Sequence, residues 1–173
     1  MPDPLPRRHP LPQLTPARVR HLQQVIEQCL WSKRHPLSVQ RSEEQIESIQ
    51  YQQATLLPMQ PLEPGDQFGR GGDHWTTFWI RVDLPPAAND ESGSRYLRWQ
   101  CQGETTVWIE GQPWAGLDLG HRECPVPDEA GTLWLECCSW QTGIWISMLA
   151  SDAIGPQGLR FESAELAVRN EVA

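Results

Sequence analysis

No run of this sequence approaches the roughly 18 consecutive apolar residues that span a bilayer, and its first ten residues, MPDPLPRRHP, lack the apolar stretch of a secretion signal. A cytoplasmic protein without a membrane partner is expected. Basic charge is short as well: 14 Lys and Arg stand against 22 Asp and Glu, a formal net charge of -8. That is the wrong sign for neutralising phosphates, so nucleic acid is excluded as a partner. The five cysteines are odd in number and do not follow the loop spacing of a disulfide framework. Cys101, Cys137 and Cys138 lie in apolar runs and read as reduced core thiols. Metal-site signatures are also missing. There is no C-x-x-C or H-E-x-x-H among Cys124, Cys137, Cys138, His74 and His121, and adjacent Cys137 and Cys138 would point to opposite faces of a strand. No structural metal is expected.

What is present in excess is tryptophan, 9 residues, and proline, 16, in a chain of 173 residues sized for one domain. So many indoles imply either a Trp-rich core or an aromatic binding face. Six of the prolines fall within the first sixteen residues. Lacking backbone donors and holding φ, they make residues 1–14 a tail. Thr15-Pro16 then gives a helix start, and Val19, Leu22, Val25, Ile26, Cys29 and Leu30 recur at helical spacing. A helical segment is assigned to 15–35, its apolar stripe expected to dock on a sheet. Residues 36–173 are assigned to a β-sandwich module.

The stretch from Ser42 to Leu57 resembles a capping box at Ser42 and Gln45 but leans toward a strand near its end. Glu43, Glu44 and Glu47 read as a solvated face. A loop crowded with Pro58, Pro61, Pro64, Gly65, Gly69, Gly71 and Gly72 follows, without the Lys-Ser/Thr ending of a phosphate-binding loop. Beyond it the period changes to two. Phe78, Ile80, Val82 and Leu84 alternate with polar residues and Trp79. Further alternating runs are predicted at 96–102, 105–110, 132–140, 143–149 and 159–168. Short strands with Gly/Pro turns and no helical pattern between them give the fold class: mainly β, an antiparallel β-sandwich or jelly roll with one N-terminal helix.

Trp99 shares a face with Leu97 and Cys101 and should be buried. Trp79 and Trp108 lie opposite the inward residues and become interface candidates, because two indoles on a second face need a cover: the helix, a neighbouring domain or a sugar. Trp114 sits in a turn-rich connection and is the exposed candidate. With Asp118, His121 and Arg122 it forms the candidate ligand site, an aromatic floor ringed by polar groups. Glu104 is expected to bond loop amides.

The segment Gly103-Glu104-Thr105-Thr106-Val107-Trp108-Ile109-Glu110-Gly111-Gln112-Pro113-Trp114-Ala115-Gly116-Leu117-Asp118 is more specific than composition. It resembles the GEA-x-VW-x-x-G-x-P-x-x-GLD-x-x-H stretch of the N-terminal region of family 38 α-mannosidases, with His121 at the expected place. Upstream, Pro64-Gly65-Asp66, Trp75, Phe78-Trp79-Ile80-Arg81 and Leu84-Pro85 resemble those enzymes' PGD, W, WFR and LP motifs. Downstream, residues 161–166 look like the strand that ends their N-terminal sandwich. The resemblance covers roughly residues 56–170 and implies a galactose-binding-like sandwich.

It also implies what should not be here. The resembled enzymes use a divalent metal and an aspartate nucleophile in a separate domain that opens with H-x-D-x-A-W. His74-Trp75 continues into Thr76-Thr77 and His121 into Arg122-Glu123, so neither matches. A retaining glycosidase needs two carboxyl groups about 5 to 5.5 Å apart, and nothing in the spacing of Glu104, Glu110 and Asp118 brings a pair together. The expectation is therefore a non-catalytic accessory module with no cofactor of its own, giving scaffolding, a domain interface or weak carbohydrate binding. Its candidate partners are an α-mannosidase catalytic domain or a separate polypeptide, a mannose-type glycan, and further copies of itself. The alternatives are a free-standing interaction domain that assembles through its Trp-bearing face, and an independent hydrolase.

Overall fold

The computed structural model describes residues 14–70, 75–87, 93–139, 154 and 156–170. The Pro-rich tail through residue 13, His74 and the strand predicted at 143–149 lie outside the described residues. Helix α1 is Thr15–Leu30 and the short α2 is Tyr51–Ala54. The strands are β1 (Trp31–Pro36), β2 (Val39–Arg41), β3 (Gln60–Pro61), β4 (Gln67–Phe68), β5 (Thr77–Asp83), β6 (Arg95–Cys101), β7 (Glu104–Ile109), β8 (Gln112–Leu117), β9 (Glu123–Pro125), β10 (Thr132–Cys138) and β11 (Leu159–Arg169).

Period-two alternation gives each long strand one apolar face, and two such faces close on each other. One sheet runs β1-β11-β6-β9, with β4 also paired to β11; the other runs β3-β2-β5-β10-β7-β8. All their pairings are antiparallel. The molecule is the expected β-sandwich. Phe78, Ile80, Val82, Val107, Leu133, Leu135 and Cys137 from one sheet meet Leu97, Trp99, Cys101, Phe161 and Leu166 from the other. Trp99 is buried, as its alternation predicts, and its ring packs 5.2 Å from Phe161. Arg95, on the inward face, closes one end of the core by donating to the carbonyls of Asp128 and Pro85. Glu110 (φ 49) and Gly111 (φ 79) form the two-residue turn between β7 and β8, where both residues need positive φ.

Four expectations are corrected. The helical segment ends at Leu30 rather than 35: Trp31 turns extended, and residues 31–36 pair with β11. The Trp31 ring packs edge-on against Tyr96 at 5.4 Å and under the Arg98 guanidinium, an attachment that needs a strand. Helix α1 is not docked on a sheet, since none of its residues is buried. Residues 42–57 do not end in a strand. Gln45 makes one lone bridge to Thr77, and the capping box belongs to Gln50 and Gln53, which start α2. Cys138 departs from the core reading: it is half-buried and faces outward, because its neighbour Cys137 takes the inward position. No helix among the described residues is long and apolar enough to cross a membrane.

Candidate functional site

Register places the outward residues of the second sheet in rows. Trp134 pairs with Arg81 on one side and Trp108 on the other; Glu136 pairs with Trp79 and Thr106; Cys138 pairs with Thr77 and Glu104. One end of this face is therefore aromatic and the other polar.

The aromatic end is covered by the chain's own segment 49–59. Tyr51 stacks on Trp108, with centroids 5.8 Å apart and planes at 27°, and meets Trp79 and Trp134 edge-on at 6.2 and 6.4 Å. Ala54 is buried there, and Ile49, Leu57 and Met59 pack around the cluster. The cover is thus none of the three considered for these indoles. Trp79, at 1% exposure, lies inside the molecule, and Trp108 is half-buried beneath Tyr51. Sequence reasoning missed Tyr51 because residues 45–59 show no period that would assign them to a sheet face.

The polar end stays open. A groove of about 620 Å³ runs along Thr77, Cys138, Glu104, Thr106, Glu136 and Asp118. Gly116 widens it, since a Cβ built there meets nothing within 4 Å. Burial pushes the Glu136 carboxyl above the ordinary glutamate value, an effect the Trp108 hydrogen bond partly offsets. Asp118 goes the other way. Burial pushes it up, but the His121 ring and the backbone N–H groups of Gly120 and His121 outweigh that and hold it below the ordinary aspartate value.

The four residues of the predicted ligand site do not form one floor. Asp118 and His121 are joined: Asp118 Oδ1 accepts bonds of 2.7 Å from the backbone N–H of both Gly120 and His121, and His121 Nδ1 lies 3.2 Å from both carboxylate oxygens. The imidazole itself is largely in solvent, with 72% side-chain exposure. Arg122 turns away, donating from Nε to the Leu119 carbonyl and from Nη1 to Gln100 Oε1. Trp114 lies on edge strand β8 rather than in a turn. It is 49% exposed, and its Nε1 donates to the Pro125 carbonyl at 2.7 Å, drawing the ring over the sandwich edge toward β9. Pro113 is tolerated there because it sits on an edge strand.

Asp118, of the predicted ligand site, lines the groove together with Glu104, which was expected to bond loop amides, whereas Glu136, Thr106 and Thr77 went unnoticed in the sequence. Their signal is present: each occupies an outward position in the period-two alternation of its strand. Among the described residues, no three His, Cys, Asp or Glu converge as a metal-holding group. The described residues do not provide the donor set of a divalent metal site, and the groove carboxylates Asp118 and Glu136 accept hydrogen bonds.

Comparison with known proteins adds a family. Residues 35–162 match the family described as alpha-mannosidase, jelly roll domain. A stretch of 71 residues, 41% of this chain, is 35% identical to alpha-mannosidase 2C1 of Homo sapiens. The protein of the same name in Mus musculus is 34% identical over 71 residues. In each case the matched stretch covers 6% of the relative's length.

Proposed function

Because this chain belongs to the alpha-mannosidase jelly roll domain family, we propose that it is a non-catalytic accessory module that works beside a catalytic domain, supplying scaffold and contact surface rather than bond cleavage. The observation that carries this reading is the state of two of the groove carboxylates, Asp118 and Glu136. Asp118 is occupied by a turn and by His121, and Glu136 by the Trp108 indole. Exposed Trp75, at 66%, and half-exposed Trp114 offer apolar surface for a neighbouring domain. An aryl α-mannoside incubated with this chain alone tests it. No turnover above buffer is expected; turnover abolished by Glu136→Gln would replace the reading with a hydrolase.

A second reading, weak binding of a mannose-type glycan, is favoured by the groove itself. Thr77, Thr106, Glu104 and Glu136 present acceptors and hydroxyls to a space with a glycine floor. Trp108 serves as a built-in reporter, because its Nε1–H points at Glu136. Titrating mannose should shift that indole proton saturably in an NMR spectrum, and an unmoved signal would refute binding here. Assembly through the Trp-bearing face is disfavoured, since Tyr51 already covers it.

A further inference from the structure

We propose that α1 is a dimerisation helix: two copies of this chain pair antiparallel through its apolar stripe, with Leu22 at the two-fold axis. This inference is independent of the accessory-module reading and needs only the helix and its attachment.

The helix projects from the sandwich. Leu14, Val19, Leu22, Val25 and Ile26 are between 40% and 59% exposed, and only Glu27 and Leu30, in the last turn, are half-buried. The attachment is confined to that end. Glu27 pairs with Arg98 and Arg34, the Asn170 backbone N–H donates to the Leu30 carbonyl, and Asn170 Nδ2 donates to that of Cys29. At 3.6 residues per turn, Glu27 lies about 140° around the helix from Leu22. The anchoring ion pairs therefore hold the polar side toward the sandwich and turn the stripe away from it. A lone helix of this length is marginal in water, and its stability ordinarily comes from packing an amphipathic face.

A second copy is the occupant because the stripe is self-complementary. A two-fold interface matches residue i to j and j to i. Reversal about Leu22 matches Leu14 with Leu30, Val19 with Val25, and Leu22 with itself; Arg18 meets Ile26. Charge selects the antiparallel direction. Arg18 lies within the stripe, so parallel pairing sets it against its own copy, whereas antiparallel pairing separates the two guanidinium groups by about 12 Å at 1.5 Å per residue. The area agrees with a reversible dimer. The five side chains expose on the order of 400 Å² of apolar surface per helix, a patch of the size that marks interaction sites. Two copies together bury about 800 Å² of apolar surface, in the range of weak, transient interfaces below about 1,200 Å².

Sedimentation velocity on the full chain, from about 1 to 100 µM, spans the dissociation constants expected for such an area. The expected result is a shift from monomer to dimer across that range. Leu22→Glu together with Ile26→Glu should leave monomer throughout with the melting transition of the sandwich unchanged, because neither side chain is buried in the sandwich, while the helical circular dichroism signal loses its dependence on concentration. Geometry is tested in a Cys29→Ser background. Leu22→Cys should form a disulfide-linked dimer under air oxidation, while Ile26→Cys and the background chain should not. Monomer at every concentration, a dimer undiminished by the double substitution, or equal cross-linking at 22 and 26 would each overturn the proposal.

Discussion

Trp108 Nε1 donates to Glu136 Oε2 across neighbouring strands at 3.3 Å, joining the covered aromatic end of the outer sheet face to its open polar end. Glu136 is the boundary between them, and burial there raises its pKa.

Two groove carboxylates should consequently respond to pH in opposite senses. A folded-state pKa above the unfolded one gives stability below the unfolded pKa, about 4.3 for Glu, that is lost as pH rises through the folded value. Glu136→Gln removes that loss, so its melting temperature relative to the parent chain should increase from pH 4 to pH 7. Asp118 is depressed, so its contribution is present above about pH 3.9 and lost as pH falls through the lower folded value. Asp118→Asn should cost stability at pH 7 and progressively less in acid. Thermal melts of both variants across the range check the two signs; parallel trends would contradict the assignment.

Removing the cover should be costly without unfolding the sandwich. Tyr51→Ala deletes a half-buried ring in contact with three tryptophans. A loss of about 2–3 kcal/mol in urea denaturation is expected, below the full value for a buried aromatic. Indole emission should move to longer wavelength as Trp79, Trp108 and Trp134 meet water.

Arg98 holds three carboxylates at once: Glu123 at 2.9 Å, Glu165 at 3.2 Å, and Glu27 of α1. Arg98→Ala leaves them facing one another. The expected loss is about 2 kcal/mol, reduced from the value for a buried pair because two of the acids are roughly 40% exposed. Hydrogen exchange in α1 should speed up with the same substitution, since its last turn loses its anchor.

Thiol reactivity should divide the five cysteines by position. Cys29 is exposed on α1 and Cys138 half-buried, while Cys101, Cys124 and Cys137 are buried. Burial pushes the Cys124 thiol up to about 12. An aromatic disulfide reagent should label Cys29 at once and Cys138 more slowly, and should reach the other three only after denaturation. Fast labelling of Cys124 would contradict its burial.

The features legible in the sequence are those a strand records locally. Phe78, Ile80 and Val82 alternate with Trp79, and Val107 alternates with Trp108, so both sheet faces could be read before any pairing was known. Asp118 and His121 were also within reach, because their contact spans three residues. What escaped depends on distant chain. Arg122 finds Gln100, 22 residues away, and Trp79 finds Tyr51 in a segment without period. Amphipathicity announces that α1 needs a cover but carries no address for it, which is why docking on the sheet was a reasonable and incorrect reading. Trp114 misled for a different reason: Pro113 and Gly116 look like a turn, yet both are compatible with an edge strand.

Strand β11 lies between β1 and β6, so an inner strand of this sheet comes from the last of the described strands in chain order. Among the described strands β1 pairs with β11 alone, so during translation it waits for residues 159–169, more than a hundred residues later. Until β11 emerges, the growing chain therefore carries an unfinished sheet edge and the uncovered inward residues Leu97, Trp99 and Cys101 of β6. Production of this domain should depend on chaperone supply and on the pace of elongation more than that of a helical domain of equal length.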